Sequence, residues 1–192
     1  MWPLLLCSLA AIAIGVERYL YYKKAISGTA FVLEFERLMH DFNLVGAREL
    51  AGQTTGDAAA IAAEILDIPE DMGSRLETIV YEKVDRSIDA LQQNLDYLGV
   101  VIGLAPMLGL LGTITGMMAT FTALHGQMQN TAAVTAGLAE ALITTVFGLV
   151  IAILGMIIHA YLNSRFKTAS LNLDAMANVL TTIIPAKEHN LQ

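Results

Sequence analysis

The chain has 192 residues, of which 55% are hydrophobic and 15% are charged, and its 11 basic and 18 acidic side chains give a net charge of −7. Soluble domains carry about 25% charged residues, and disordered or collagen-like chains need far less apolar content, so these classes do not fit. An acidic chain is also a poor ligand for nucleic acid, because phosphate contacts supply most non-specific affinity.

The first segment, residues 1–22, predicts a membrane span. Residues 1–16 carry no charged side chain. The aromatic run that ends at Tyr22 extends the segment to the roughly 20 residues that cross a bilayer. A cleaved signal peptide is the alternative, since Ala11 and Ala13 resemble a cleavage site. The positive charges follow the apolar run instead of preceding it, which favours a span.

The next segment, residues 23–96, is mixed and charged. Apolar spacing predicts short helices over 30–42 and 57–67, and glycine or proline clusters predict turns at 52–56 and 69–73.

A longer helix is predicted toward the end of that segment. Apolar side chains recur there at steps of three and four, and no glycine or proline interrupts residues 74–98. We therefore expect one continuous helix that leads directly into the next span. The stripe consists of Leu76, Ile79, Val80, Val84, Ile88, Leu91, Leu95 and Leu98.

Two further spans are predicted in residues 97–164, which contain a single charged side chain, Glu140. The apolar stretches 97–123 and 132–162 are each long enough to cross a bilayer. The polar residues 124–131 between them predict a loop. Since no proline follows until Pro185, we expect the third helix to continue into the C-terminal segment, 163–192.

The basic residues predict the orientation of these spans. All 11 lie within 18–86 or 165–187. By the positive-inside rule, the N-terminus and the loop 124–131 lie outside, and residues 23–96 and 163–192 lie in the cytoplasm. The sequence thus predicts an all-α membrane protein with three transmembrane helices, N-out and C-in, whose second and third helices extend into the cytoplasm.

Glu140 is the candidate functional residue of the third span. An ionised carboxylate at this depth costs several kcal/mol, so such residues usually face protein or water and carry function. At about 100° per residue, one half of the helix carries Glu140 with small or hydroxylated side chains, and the other half is large and apolar. The small half includes Gly137, Thr144, Thr145 and Gly148. Packing alone explains the glycines, whereas the carboxylate needs a donor, a water or a proton.

The second span has a comparable face, formed by Gly109, Gly112, Thr113, Gly116 and Thr120. Bonding to its own helix backbone is an equally good interpretation of an intramembrane threonine such as Thr113. Two such faces and one acid suggest a polar pathway. One chain is too narrow to enclose it, so a ring-shaped homo-oligomer is predicted.

Enzymatic and cofactor motifs are absent from the sequence. There is no P-loop, dinucleotide fingerprint, G-x-S-x-G or metal-ligand spacing. No second acid, base or nucleophile lies at the depth of Glu140, which disfavours hydrolysis. We therefore expect no enzyme and no cofactor.

Three segments resemble the MotA/TolQ/ExbB proton channel family. Residues 105–121 (APMLGLLGTITGMMATF) and 138–166 (LAEALITTVFGLVIAILGMIIHAYLNSRF) are similar to its two signature spans. Residues 1–18 (MWPLLLCSLAAIAIGVER) are similar to the first span of its ExbB-like branch. One departure is Leu154, where the family often has a proline.

The resemblance implies a bacterial inner-membrane complex. In it, a ring of this subunit, typically a pentamer, surrounds the helices of an ExbD- or TolR-like one-span partner with an essential aspartate. Proton flow would drive a TonB- or TolA-like protein, and by motif position Glu140, Thr145 and Thr113 would line the path. We add Thr144 to these pathway residues because helix geometry places it on the same face as Glu140.

Within the family, the single span before residue 23 argues against the MotA branch. We favour an ExbB-like role over a TolQ-like one because the segments MWPLLLCS and HAYLNSR resemble the ExbB-like branch more. A non-conducting membrane scaffold, whose small faces merely pack, remains the alternative from a different class.

Overall fold

A computed structural model describes residues 2–68, 73–126 and 131–190 of the chain. Every regular element in these ranges is an α-helix, as the sequence predicts. The helices are α1 (Trp2–Ala25), α2 (Thr29–His40), α3 (Leu44–Gln53), α4 (Asp57–Leu66), α5 (Gly73–Gln92), α6 (Leu95–Gly126) and α7 (Thr131–Asn190).

The chain forms two compact units. The first, here the apolar unit, comprises Met1–Arg18 and Asn94–Leu162, and the second, here the charged unit, comprises Tyr19–Gln93 and Asn163–Gln192. The apolar unit carries only four of the chain's acidic and basic side chains: Glu17, Arg18, Asp96 and Glu140. α1 and α7 each include residues of both units.

Three helical stretches are long and apolar enough to cross a membrane: Trp2–His40, Arg75–Thr122 and Val134–Ile183. The number of candidate spans is thus the three that the sequence predicts. Large apolar side chains on α6 and α7 are exposed along these stretches, among them Met118 at 64% and Ile157 at 63%. Such surfaces suit lipid or another apolar partner.

The predicted apolar stripe is confirmed in α5 and the start of α6. Six of its eight members are buried: Leu76, Val80, Val84, Leu91, Leu95 and Leu98. The predicted continuity of that helix is wrong, because α5 ends at Gln92 and α6 begins at Leu95. Asn94 adopts a positive φ of 33°, a conformation that asparagine tolerates better than most residues. Its amide also donates to Glu17 Oε2 at 3.1 Å, which holds the break.

The short helices of the charged unit lie close to their predicted positions. α2 buries Phe31, Phe35 and Met39, and α4 covers Asp57–Leu66, whose alanine-rich face is buried. Phe42, the last residue of the helix predicted over 30–42, lies outside α2 in the left-handed region and is 54% exposed. The chain turns there before α3, a helix that the sequence analysis did not predict.

Two predicted connections differ in extent. α3 continues through Gln53, so the turn predicted at 52–56 begins later. α6 continues through Gly126 and α7 begins at Thr131, so the predicted loop 124–131 is partly helical; residues 127–130 lie outside the described residues. So do residues 69–72 of the turn predicted at 69–73. α7 extends as one helix through Asn190, which confirms the predicted continuation of the third span.

Candidate functional site

The candidate site is built on a close contact between α6 and α7 within the apolar unit. A Cβ atom added at Gly148 would lie 2.6 Å from the Ala105 carbonyl oxygen and 3.1 Å from the Gly109 Cα. A Cβ atom at Gly109 would lie 3.1 Å from the Thr145 Cα. The two backbones therefore approach to a distance that requires glycine at these positions.

This contact continues along both helices in antiparallel register, and we call it the small-residue seam. Its pairs in order along α6 are Gly99 with His159, Ile102 with Gly155, Gly109 with Gly148, Gly112 with Thr144, Gly116 with Ala141 and Thr120 with Gly137. From Gly99 to Thr120, α6 rises about 32 Å at 1.5 Å per residue. That length matches the roughly 30 Å hydrocarbon core of a bilayer.

Two threonines of α7 direct their hydroxyls at one carbonyl of α6. Thr145 Oγ1 donates to the Gly109 carbonyl oxygen at 3.0 Å. Thr144 Oγ1, which is buried, lies 3.4 Å from the same oxygen and donates to Ala141 of its own helix at 2.6 Å. The missing side chain at Gly109 exposes its carbonyl to both groups, so the seam contains a local polar centre.

Thr113 lies on the same helix as Gly109, but its hydroxyl turns back onto its own helix. Its Oγ1 donates to the Leu110 carbonyl oxygen at 2.7 Å. This is the ordinary fate of a threonine in an apolar helix. The structure therefore brings Thr144, Thr145 and Gly109 together and leaves the Thr113 hydroxyl outside that centre.

Glu140 lies beside the seam and not within it. At 100° per residue, its direction on α7 is about 40° from that of Thr144 and about 100° from that of Ala141, the two buried seam residues nearest to it, so Glu140 lies at the edge of the seam. The Glu140 side chain is exposed, next to the exposed apolar side chains of Ile143 and Phe147. Among the residues that the structure describes, no hydrogen bond or ion pair to the Glu140 carboxylate is found. The apolar unit thus presents a carboxylate on a large apolar surface, one turn of helix from the threonine pair.

The glycines that the sequence singled out all take part in the helix contact. Gly109 and Gly148 meet at the closest approach, Gly112 faces Thr144, and Gly116 faces Ala141. Gly137 faces Thr120 at the end of the seam nearest the α6–α7 connection. Helix packing within one chain therefore explains these five positions.

A polar cluster that the sequence pattern did not predict lies at the other end of the apolar unit. Arg18 is only 4% exposed, and its Nε and Nη2 donate to both carboxylate oxygens of Glu17 at 2.7 and 2.8 Å. Asn94 adds a third donor to the same carboxylate. Charge-assisted bonds with this bidentate geometry are strong. The signal for this cluster in the sequence is the adjacent pair Glu17 and Arg18 directly after an uncharged stretch.

These features define the class of the molecule. Three helices are long and apolar enough to span a membrane, two of them are joined by a glycine seam of bilayer length, and one acid lies on the apolar surface. Such a chain is a multi-span α-helical membrane protein.

Comparison with known proteins places the chain more narrowly. Residues 53–175 match the model of the MotA/TolQ/ExbB proton channel family. The chain is 29% identical over 177 residues to the putative biopolymer transport protein ExbB-like 1 of Synechocystis, covering 85% of this chain and 66% of that protein. It is 35% identical over 122 residues to a putative ExbB homolog of Methanothermobacter thermautotrophicus, covering 64% and 43%.

A TolQ protein is similar at a comparable level. The Tol-Pal system protein TolQ of Haemophilus influenzae is 34% identical over 102 residues, or 53% of this chain and 45% of that protein. The chain thus spans between 43% and 66% of the length of these relatives. It belongs to the MotA/TolQ/ExbB proton channel family.

Proposed function

We propose that this chain is an ExbB-like subunit of a proton-driven motor in the bacterial inner membrane. Protons move inward past Glu140 and the threonines Thr144, Thr145 and Thr113, and their energy drives TonB-dependent transport across the outer membrane. Each unit charge that moves inward releases about 2.3 kcal/mol per 100 mV. The subunit acts as an ion pathway and not as an enzyme.

The observation that carries the proposal is the exposed carboxylate of Glu140 on the apolar unit. A charged group on such a surface is costly unless protein, water or a proton satisfies it. The Thr144 and Thr145 hydroxyls lie about 6 to 8 Å further along the axis of the same helix at 1.5 Å per residue. Both already interact with the Gly109 carbonyl, so this level of the helix pair carries polar groups where its surroundings are apolar.

The orientation and assembly form part of the same proposal. The positions of all 11 basic residues support an N-out, C-in arrangement. The small faces of α6 and α7 are used against each other, so the chain's own helices do not cover Glu140. A ring of identical chains, pentameric in analogy to the family, brings the Glu140 flank toward a central partner. That partner is an ExbD- or TolR-like subunit with one span and an intramembrane aspartate.

A TolQ-like role is the second candidate. The 34% identity to a Tol-Pal system protein over 102 residues supports it, and in this case the driven protein is TolA-like and the work maintains the cell envelope. The proposed site is the same in both roles, so the partner distinguishes them.

A non-conducting scaffold is the third candidate, and the intrachain seam favours it in one respect, because packing alone explains the five glycines. A scaffold function, however, gives the exposed Glu140 side chain no role.

The test is purification of the tagged chain together with each candidate one-span subunit. The proposal predicts that an ExbD-like protein co-purifies and that Glu140→Gln, in cells lacking their own copy, abolishes TonB-dependent uptake at normal expression. Glu77→Gln, which changes an exposed acid on α5, is the matched control and retains uptake. Co-purification with a TolR-like protein instead supports the TolQ-like role. Full uptake with Glu140→Gln in a chain that co-purifies with an ExbD-like protein contradicts ion conduction.

A further inference from the structure

The charged unit contains a small cleft at the start of α4. Four helices or their ends contribute to it: α1 with the link that follows it, α4, α5 and α7. Its lining residues are Ala25, Ile26, Ser27, Asp57, Ala58, Leu91, Ala169, Asn172 and Leu173. Two of the helices that line the cleft, α1 and α7, also include residues of the apolar unit.

Ser27 fastens one wall of the cleft. It is only 3% exposed; its hydroxyl accepts from the Ala59 amide at 3.2 Å and lies 3.4 Å from the Thr55 carbonyl oxygen as a donor. Gly56 between them has a φ of 125°, and a Cβ atom there would collide with Ser27 Oγ. The link after α1 and the link before α4 are thus tightly interlocked.

Asn172 fastens the opposite wall. Its side chain is buried, at 9% exposure, and its amide donates to Thr29 Oγ1 at 3.3 Å. This bond joins α7 to the first residue of α2. Both walls of the cleft are therefore held by buried neutral polar groups.

Asp57 is the one titratable group among the lining residues that the structure describes. From α1, α5 and α7 the cleft receives only apolar or neutral polar side chains. The nearest charged residues in sequence to those lining positions are Lys24 on α1, Asp89 on α5, and Lys167 and Asp174 on α7; all four are exposed and do not line the cleft. No ion pair of Asp57 is found in the described ranges. Burial raises the pKa of the Asp57 carboxyl above its usual range.

We propose that Asp57 closes this cleft when it is protonated and loosens it when it is charged, so that the contact of α4 with α1 and α7 responds to pH. The neutral carboxyl fits a wall of apolar and neutral polar groups, whereas the carboxylate loses hydration when the cleft closes over it, a cost that its place in the first turn of α4 offsets only in part. A carboxyl whose pKa is raised in the folded state binds its proton more tightly there than in the open state. Stability of the closed cleft therefore falls as pH rises from the ordinary pKa of aspartate, near 3.8, through the raised value.

The experiment is hydrogen exchange of the full chain in detergent micelles at about pH 4.5 and pH 7.5, with rates corrected for intrinsic exchange. The readout is the amide of Ala59, which is bonded to Ser27 Oγ. In the wild type, the opening equilibrium constant at Ala59 rises at least about three-fold between these pH values, because the closed cleft favours the protonated carboxyl. In Asp57→Asn, which is neutral at both, the rise is less than about two-fold.

Asp174→Asn is the matched control, because it removes an exposed acid next to the lining residue Leu173. It follows the wild-type profile. If Asp57→Asn fails to fold, Asp57→Ser replaces it. The thermal unfolding midpoint of the wild type, measured at both pH values, supplies a second readout. The higher midpoint is expected at the lower pH. Parallel profiles for the wild type and the Asp57 variant overturn the proposal, as does an equal flattening in Asp174→Asn. The result does not depend on ion conduction.

Discussion

Replacing Gly148 by alanine tests the small-residue seam most sharply. The new Cβ atom would lie 2.6 Å from the Ala105 carbonyl oxygen, and ordinary van der Waals contact begins at 3.4 Å. α6 and α7 must therefore separate by about 0.8 Å at this point, because the atoms in contact belong to the helix backbones and cannot move away without moving the helices. Overpacking of this kind costs about 1–3 kcal/mol.

A second loss accompanies that separation. The Thr145 hydroxyl lies 3.0 Å from the Gly109 carbonyl oxygen, and a displacement of about 0.8 Å takes this pair beyond hydrogen-bond distance. Interhelical hydrogen bonds in membranes contribute about 0.6 kcal/mol on average. We expect Gly148→Ala to lower the free energy of unfolding by about 2–3 kcal/mol in total.

The assay is reversible unfolding in mixed detergent micelles, followed by circular dichroism. Gly103→Ala is the matched control, because a Cβ atom at Gly103 on α6 meets nothing within 4 Å. Alanine is the better helix former, so this control leaves stability unchanged or raises it by up to about 1 kcal/mol. Equal stability of Gly148→Ala and Gly103→Ala would refute the close approach of the two backbones.

Two further substitutions test single hydrogen bonds. Thr145→Val removes the interhelical bond to Gly109 and is expected to cost about 0.6 kcal/mol in the same unfolding assay. Its control is Thr122→Val, which loses only a bond to Met118 of its own helix and has a smaller effect. A larger loss of stability for Thr122→Val would contradict the interhelical bond. Tyr22→Phe removes the buried 2.7 Å bond to the Leu91 carbonyl oxygen and is expected to cost about 1–3 kcal/mol, because that oxygen loses its donor. Its control, Tyr81→Phe, acts on an exposed bond and changes stability by less than about 0.5 kcal/mol; similar losses for both tyrosines would count against a special role of the buried bond.

Much of the fold is predictable because membrane helices obey a simple rule. A span needs about 20 predominantly apolar residues with few or no charges, so the nearly uncharged stretches around Glu140 and at the N-terminus locate the three spans directly. The stripe from Leu76 to Leu98 is equally informative, since its period of 3.6 residues is visible without any knowledge of its partners.

The interruption at Asn94 shows where such reasoning ends. Neither glycine nor proline marks the break, and a single asparagine in the left-handed region is an option that the sequence permits but does not require. The bond from Asn94 to Glu17, 77 positions away, holds it. Interactions between residues so distant in sequence cannot be deduced from local periodicity, and the same holds for the burial of Arg18.

The candidate site was predictable in composition and less so in arrangement. The small and hydroxylated faces of the second and third spans follow from helix geometry. The two faces pack against each other, and Glu140 lies at the edge of this contact. This arrangement depends on the rotation of α6 about its axis. A rotation of about 100° is one residue of helix, which is finer than the sequence pattern resolves.

The central claim is that Glu140 carries protons, and proton flux into liposomes tests it most directly. The chain is reconstituted with its co-purifying one-span partner, a pH gradient and membrane potential are imposed, and internal pH is followed with a dye. We predict that Glu140→Gln lowers the flux at least about ten-fold, equivalent to about 1.4 kcal/mol in the barrier, while Glu77→Gln keeps the wild-type rate. Equal flux through the wild type and Glu140→Gln, at equal incorporation, would contradict the claim.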